Sequence, residues 1–408
     1  MKKIINIYLL LIIVMGLIQC SNSPAPEEKI PPRELTIAEK EIVSSDNNFG
    51  LKLFREVISE ESDKNVFISP LSVSMALGMT YNGSAGSTRE AMQETLELAG
   101  LTEREINESY RSLIGLLRNL DEEVVFQIAN SIWYRLGWTF EEEFLNINKY
   151  YFDALVSGLD FGDPQSHVII NNWVDENTNG KIKDIVEPPI NPETVMFLIN
   201  AIYFKGTWTY EFDKDLTKDD IFNMPDGSQA ACKMMEQDCK FQYFENEDFQ
   251  AVDMPYGDGL YSMTVFLPRP QKDINDFIEE FNNENWNEWL NCFQENKGLL
   301  HFPKFKLEYK IELKKALTAL GMGIAFDGAD FTNMYKPGGL FISSVKHKTF
   351  IDVYEEGTEA AAVTSVEIGY GSTHDFIMNV NRPFVFAIRE NHSGTILFIG
   401  KVIEPLTE

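Results

Sequence analysis

Apolar residues recur at helical spacing through the first third of the chain, and alternating or continuous apolar runs dominate the rest. Phe49, Leu53, Phe54 and Val57 fall on one face of a helix. Residues from Ser72 to Tyr81 continue such a face after Pro70, a residue suited to a helix start. Ser87-Thr-Arg-Glu90 has the form of a capping box and predicts that a helix opens there. Residues 103–120 predict a further amphipathic helix. Val124 to Tyr134 and Glu193 to Phe204 read as strands. The second is nearly continuous in apolar residues, as expected of a central strand covered on both faces. From about residue 219 the pattern is mostly strand, with turn signals at Pro225-Asp-Gly227, Tyr256-Gly-Asp-Gly259 and Pro268-Arg-Pro270. Helices interrupt it near 272–290 and 312–321. Early helices followed by many strands predict an α+β fold.

The first 38 residues differ from the rest. Lys2 and Lys3 precede an apolar run from Ile4 to Ile18 that is short for a membrane span and has the charge layout of a signal peptide. Gly16-Leu17-Ile18-Gln19-Cys20 resembles a bacterial lipobox, in which the cysteine is acylated and becomes the new N-terminus. Gln19 departs from the small residue usual before that cysteine, and an ordinary signal peptide cut nearby is the other reading. Pro24, Pro26, Pro31 and Pro32 then mark a polar tether without apolar period. The domains expected are a signal peptide over 1–19, a Pro-rich tether over 20–38 and one folded domain over 39–408. No linker or repeat divides the last of these. The expected location is beyond the inner membrane, lipid-anchored at the cell envelope or surface through Cys20, or otherwise periplasmic or extracellular.

The formal net charge is −28, which argues against nucleic acid and heparin-like polyanions, whose recognition needs clustered Lys and Arg. Cys232, Cys239 and Cys292 are odd in number and lack metal-type spacing. Buried free thiols are expected, a Cys232–Cys239 bridge being the alternative. Five histidines (His167, His301, His347, His374 and His392) form no zinc-type pair, and there is no nucleophile elbow or phosphate loop. Neither a metal nor a cofactor is expected, and catalysis has almost no support.

The segment from Glu355 to His374 stands apart. It is a stretch of about 20 residues between two strand-like runs, small and β-compatible at first, polar and Gly-containing later. In strand alternation Thr358, Ala360, Ala362, Thr364 and Val366 would share one face, all small or β-branched. Glu359, Ala361, Val363, Ser365 and Glu367 would take the other. The segment is either an ordinary surface loop or a loop able to become a strand.

Glu355-Glu-Gly-Thr-Glu-Ala-Ala-Ala362 resembles the hinge of inhibitory serpins nearly letter for letter. Other landmarks of that family follow in order: Asn65-Val-Phe-Ile-Ser-Pro-Leu-Ser72, Asn200-Ala-Ile-Tyr-Phe-Lys-Gly-Thr-Trp208, Phe302-Pro-Lys-Phe305, Leu320-Gly-Met322, Phe331, Val345-Lys-His-Lys348, Asn381-Arg-Pro-Phe-Val-Phe386 and Phe398-Ile-Gly-Lys-Val402. The resemblance implies three β-sheets, about nine helices and an exposed reactive loop. It implies a monomeric suicide substrate: a protease attacks the loop, forms an acyl-enzyme, and is trapped when the cleaved loop inserts into the main sheet. The hinge is then Glu355, Glu356, Gly357, Thr358, Glu359, Ala360, Ala361 and Ala362. Ser69, Ser72, Asn200 and His347 correspond to a polar cluster beneath the opening sheet, and Lys304 and Glu355 to an ion pair near Trp208. Counting from Gly357 puts the residue before the scissile bond at Gly371, and counting back from Pro383 puts it at Ser372. Tyr370 suits a chymotrypsin-like protease; Gly371 or Ile368 suits elastase- or subtilisin-like enzymes. No Arg or Lys lies between Glu355 and Asn381, which disfavours trypsin-like targets, while papain-like cysteine proteases remain open. The alternative within the family is a non-inhibitory binding or structural protein.

Overall fold

Two chain-entry signals shape the first helix. The Thr36 hydroxyl accepts from the Glu39 amide and the Glu39 carboxylate accepts from the Thr36 amide, a capping box that starts helix α1 at Ile37–Glu60. That start lies inside the span read as tether. The computed structural model describes residues 31–118, 120–358 and 373–406. Met1–Glu34 and Leu35–Glu408 are separate units, and the second is the folded body.

Helices α2 (Pro70–Tyr81), α3 (Gly86–Thr95), α4 (Glu103–Leu117), α5 (Glu142–Tyr151) and α6 (Ser166–Asn177) follow, then α7 (Ile274–Ile278), α8 (Asn283–Asn291) and α9 (Lys314–Ala319). The strands are β1 (Val66–Ile68), β2 (Val124–Arg135), β3 (Leu155–Leu159), β4 (Met196–Thr207), β5 (Lys218–Asn223), β6 (Gln229–Glu245), β7 (Phe249–Tyr256), β8 (Tyr261–Pro268), β9 (Gln294–Pro303), β10 (Phe305–Glu312), β11 (Lys346–Tyr354), β12 (Gly357–Thr358), β13 (Phe376–Asn379), β14 (Phe384–Glu390) and β15 (Ile396–Val402). The α+β class is as expected, with nine α-helices among the described residues.

One sheet has six strands in the order β10-β11-β12-β4-β2-β3. The other follows β1-β15-β14-β8-β7-β6-β9-β13, with β5 also on β6. The 17-residue β6 is shared by two wings: its first part pairs with β5 and its last part with β7, while β9 lies along its other edge. The described strands thus form two sheets where three were expected, because the continuous β6 joins the two wings into one. Rings of Phe249, Phe266, Phe277, Phe281, Trp286 and Trp289 meet where α7 and α8 cover the second sheet. Full burial of each such ring stabilises the fold by about 1.5–3 kcal/mol.

The capping box expected at Ser87 does not form. Helix α3 opens two residues earlier, after Ala85, which offers no side-chain cap. Tertiary bonds replace it: the Ala85 amide donates to the Asp330 carbonyl (2.9 Å), and the Thr88 hydroxyl accepts from the Asp330 amide (2.8 Å). All three cysteines are free, but only Cys232 is fully buried; Cys239 and Cys292 are half-buried. Burial pushes the Cys232 thiol up to about 11 and that of Cys239 to about 12, so neither is reactive at neutral pH.

Asp46 is buried between α1, α2 and α4, accepting from the Tyr110 hydroxyl (2.8 Å) with its other oxygen unpartnered. Burial raises its pKa to about 7, although the hydrogen bond from Tyr110 pulls the other way. An acid raised in the fold stabilises it only while protonated, so this contribution is lost as pH rises through about 7. Asp46→Asn should abolish that loss, roughly 4 kcal/mol at the alkaline end. Urea unfolding across pH checks it: identical pH slopes in parent and variant would show that Asp46 is already ionised in the fold.

Candidate functional site

Strand β4 is ordinary on one edge and unusual on the other. On β2 it forms a continuous antiparallel ladder from Val124↔Gly206 to Tyr134↔Met196. On its other side only the two residues of β12 intervene before β11. Thr358 pairs with Gly206 and Val353, and Gly357 with Thr207 and Tyr354. Among the described residues no ladder joins β4 to β11 directly. Among the described residues the interval between β4 and β11, the slot, is occupied at one end, by the two residues of β12. Counting along both strands from these rows brings Tyr203 level with Phe350, and Asn200 level with His347.

The filled end is closely fitted. Gly357 has φ +146°, and a Cβ there would stand 2.2 Å from the Gly206 carbonyl oxygen, so only glycine enters. A Cβ on Gly206 would meet the Tyr256 ring at 2.8 Å. Thr358 is 2% exposed, and its hydroxyl lies 2.8 Å from that of Tyr256 beneath the sheet. Tyr256 stacks on Trp208 (4.3 Å between centroids). Trp208 in turn donates from its indole to the Tyr354 carbonyl (3.0 Å) and from its amide to the Glu356 carbonyl (2.9 Å).

The expected ion pair is formed. Lys304 Nζ lies 2.7 Å from Glu355 Oε2, and the Thr217 hydroxyl donates to Oε1 (2.8 Å). Burial alone would raise the Glu355 carboxyl, but the bonds from Lys304 and Thr217 prevail and hold it below its ordinary value. Lys214 pairs with Glu356 alongside. Because the Glu355 side chain is nearly enclosed, this pair is worth more than an exposed one, and losing Lys304 alone would strand a buried charge.

The expected polar cluster occurs as two groups. The Ser69 amide donates to His347 Nε2 (2.9 Å), the Ser69 hydroxyl donates to the Leu397 carbonyl (2.7 Å), and the Ser72 amide donates to the Ser69 hydroxyl (3.3 Å). Asn200 instead donates to Asn130 Oδ1 (2.8 Å) and reaches Met75 Sδ (3.7 Å). The buried Oδ1 of Asn200 has no donor. The slot separates these groups, which is why no bond joins them although they are level.

Glu359, Ala360, Ala361 and Ala362 of the hinge, and Ile368, Tyr370, Gly371 and Ser372 of the reactive bond, lie outside the described residues, as does Cys20. Residues 374–376 are firmly held. His374 Nε2 meets Asp238 Oδ2 at 3.0 Å, the Lys297 amide donates to Asp375 (3.0 Å), and the Phe376 ring stacks on Tyr243 (3.7 Å). Sequence reasoning missed Tyr256, Asn130, Thr217 and the contacts of residues 374–376. Nothing local marks them, because each acts through a partner distant in the chain.

Two sheets, with Gly357 and Thr358 set between β4 and β11, frame this site. A family model described as "Serpin (serine protease inhibitor)" matches residues 44–405. An uncharacterised serpin-like protein of Thermococcus kodakarensis is 34% identical over 375 residues, covering 90% of this chain and 86% of that one. The crystal structure of tengpin, a thermophilic serpin in its native state, superimposes with TM-score 0.83 at 34% identity, covering 92% of this chain and 97% of that one. Human thyroxine-binding globulin complexed with its ligand gives TM-score 0.83 at 28% identity, covering 91% of this chain and 100% of that one. The chain belongs to the serpin family, whose members are in general protease inhibitors rather than catalysts.

Burial lowers the His347 pKa to about 4. A histidine held neutral stabilises the fold above its unfolded value near 6.5, and that contribution is lost as pH falls towards 4. His347→Gln should remove a pH-dependent loss of roughly 3 kcal/mol between these limits. Unfolding midpoints at pH 7 and pH 4.5 read it; an unchanged difference would mean that His347 titrates freely in the fold.

Proposed function

We propose that this chain inhibits serine proteases as a suicide substrate, by completing β12 into a full strand of the six-stranded sheet. The observation that carries the proposal is the slot: β12 already bonds both lips for two residues, and the same register continues along β4 and β11. Continued along those rows, Thr364 arrives between Asn200 and His347 and brings a hydroxyl to the acceptor Asn200 Oδ1, which now has no donor. Thr358 faces inward, so Ala360 and Ala362 would too, and small groups pass between strands with little obstruction.

The chemistry up to the trap belongs to the protease. Its serine oxygen attacks the carbonyl carbon at Gly371 or Ser372, the peptide C–N bond breaks, and the amine takes a proton and leaves on the C-terminal piece. The ester that remains is normally hydrolysed by water. Insertion competes with that step. About 15 residues at about 3.3 Å each carry the acyl-enzyme roughly 50 Å from its docking position. New ladder bonds at about 1 kcal/mol each, with burial of the inward face, provide on the order of 10 kcal/mol. The uncleaved fold is accordingly a kinetic trap.

Targets follow from the loop chemistry. With Tyr370, Gly371 and Ile368 available and no basic residue, they are chymotrypsin-, elastase- or subtilisin-like enzymes, with papain-like enzymes a further class. Secretion through residues 1–19 and acylation of Cys20 belong to the same proposal, and would display the inhibitor at the cell envelope.

Incubation with such a protease should give a complex that survives denaturation, and mass analysis of the released C-terminal peptide should identify the bond. Thr358→Arg should convert the inhibitor to a substrate that is cut without complex formation, because a guanidinium cannot enter the space beside Tyr256. Unaltered trapping by that variant would overturn the insertion register. Absence of any complex from the parent would instead favour a binding protein, the role that the bound ligand indicates for thyroxine-binding globulin.

A further inference from the structure

The six-stranded sheet ends at β10, and one edge of that strand faces away from β11. On that edge the Lys306 amide donates to the Leu406 carbonyl (2.7 Å). Residues two apart in a strand aim their backbone groups the same way, so the amides and carbonyls of Glu308 and Lys310 point to this side too. Among the described residues no protein group takes them. Beside the edge lies a cleft of about 430 Å³, between β10, the start of β1 and the chain that leaves β15. Val66, Phe67 and Leu307 line it and are buried. Its two lysines, Lys64 and Lys310, are already paired, with Glu61 and Glu187. Glu308 is paired with Lys348 (2.7 Å). Asp63 and Glu404, which also line the cleft, form no ion pair among the described residues.

We propose that this edge is a docking site for an extended segment of a partner protein, which adds to β10 as an outer strand and carries a basic side chain into the cleft. The Leu406 carbonyl already forms the first rung of such a strand, and the segment continues it along Glu308 and Lys310. Main-chain bonds supply the affinity, and the cleft selects alternate side chains. The residues that share this parity, Lys306, Glu308 and Lys310, have exposed charged side chains, which guard the edge against apolar strands. The unpaired carboxylates of Asp63 and Glu404 favour an entrant with Lys or Arg. A second copy of this chain is a poor occupant, because two molecules of net charge −28 repel each other.

Two short synthetic peptides test this, one alternating Lys and Val, the other alternating Glu and Val, each mixed with the full chain. The Lys peptide should bind about tenfold more tightly than the Glu peptide and should slow hydrogen exchange at the Glu308 and Lys310 amides. Glu308→Pro removes one outward amide at an edge position that tolerates proline, and should weaken the Lys peptide about tenfold. Asp63→Asn combined with Glu404→Gln should weaken it about threefold and leave the Glu peptide no weaker. Equal affinity of the parent for both peptides would overturn the proposal. So would binding that protects neither Glu308 nor Lys310, including protection along β4, which would place the peptide in the slot. If Glu308→Pro does not fold, the exchange pattern of the parent decides. Self-association of the peptide-free chain through β10 would overturn the choice of occupant. The site is independent of loop insertion: a chain that traps no protease should still bind the Lys peptide here.

Discussion

A β-sheet whose interior strand is two residues long among the described residues is the constraint on which the rest depends. Among the described residues, β4 and β11 share a sheet yet meet only through Gly357 and Thr358. Backbone donors and acceptors inside a protein need partners, and a strand supplies them on both sides at once. The glycine at Gly357, the glycine at Gly206 and the inward threonine at Thr358 are what allow a strand to begin there. Trp208, Tyr256 and the Lys304–Glu355 pair fix that beginning in place.

Much of the fold was legible because it rests on local signals. The strands at 124 and 196 and the helix after Pro70 follow directly from apolar spacing. The capping box predicted at Ser87 failed because the Asp330 backbone, far along the chain, satisfies the α3 entrance instead. The Thr36–Glu39 box, equally local, was hidden by the prolines before it.

The site divides in the same way. Small residues alternating after Gly357 are visible in the sequence, since entry between strands demands them. The register that sets Asn200 level with His347 is a tertiary fact, as is the missing donor at Asn200 Oδ1. Reading Ser69, Ser72, Asn200 and His347 as one cluster joined groups that the slot keeps apart. Tyr256 looks like any strand tyrosine until Thr358 is placed against it.

The proposed insertion implies that the protein, uncut, is less stable than it can become. The most direct test is to nick the loop with a protease that does not remain bound, and to compare unfolding temperatures before and after. A strand that completes the sheet should raise the unfolding temperature by tens of degrees, because about ten or more kcal/mol of ladder and burial are gained with no change in sequence. A nicked protein that melts at or below the temperature of the intact one would contradict the slot as a site of strand insertion.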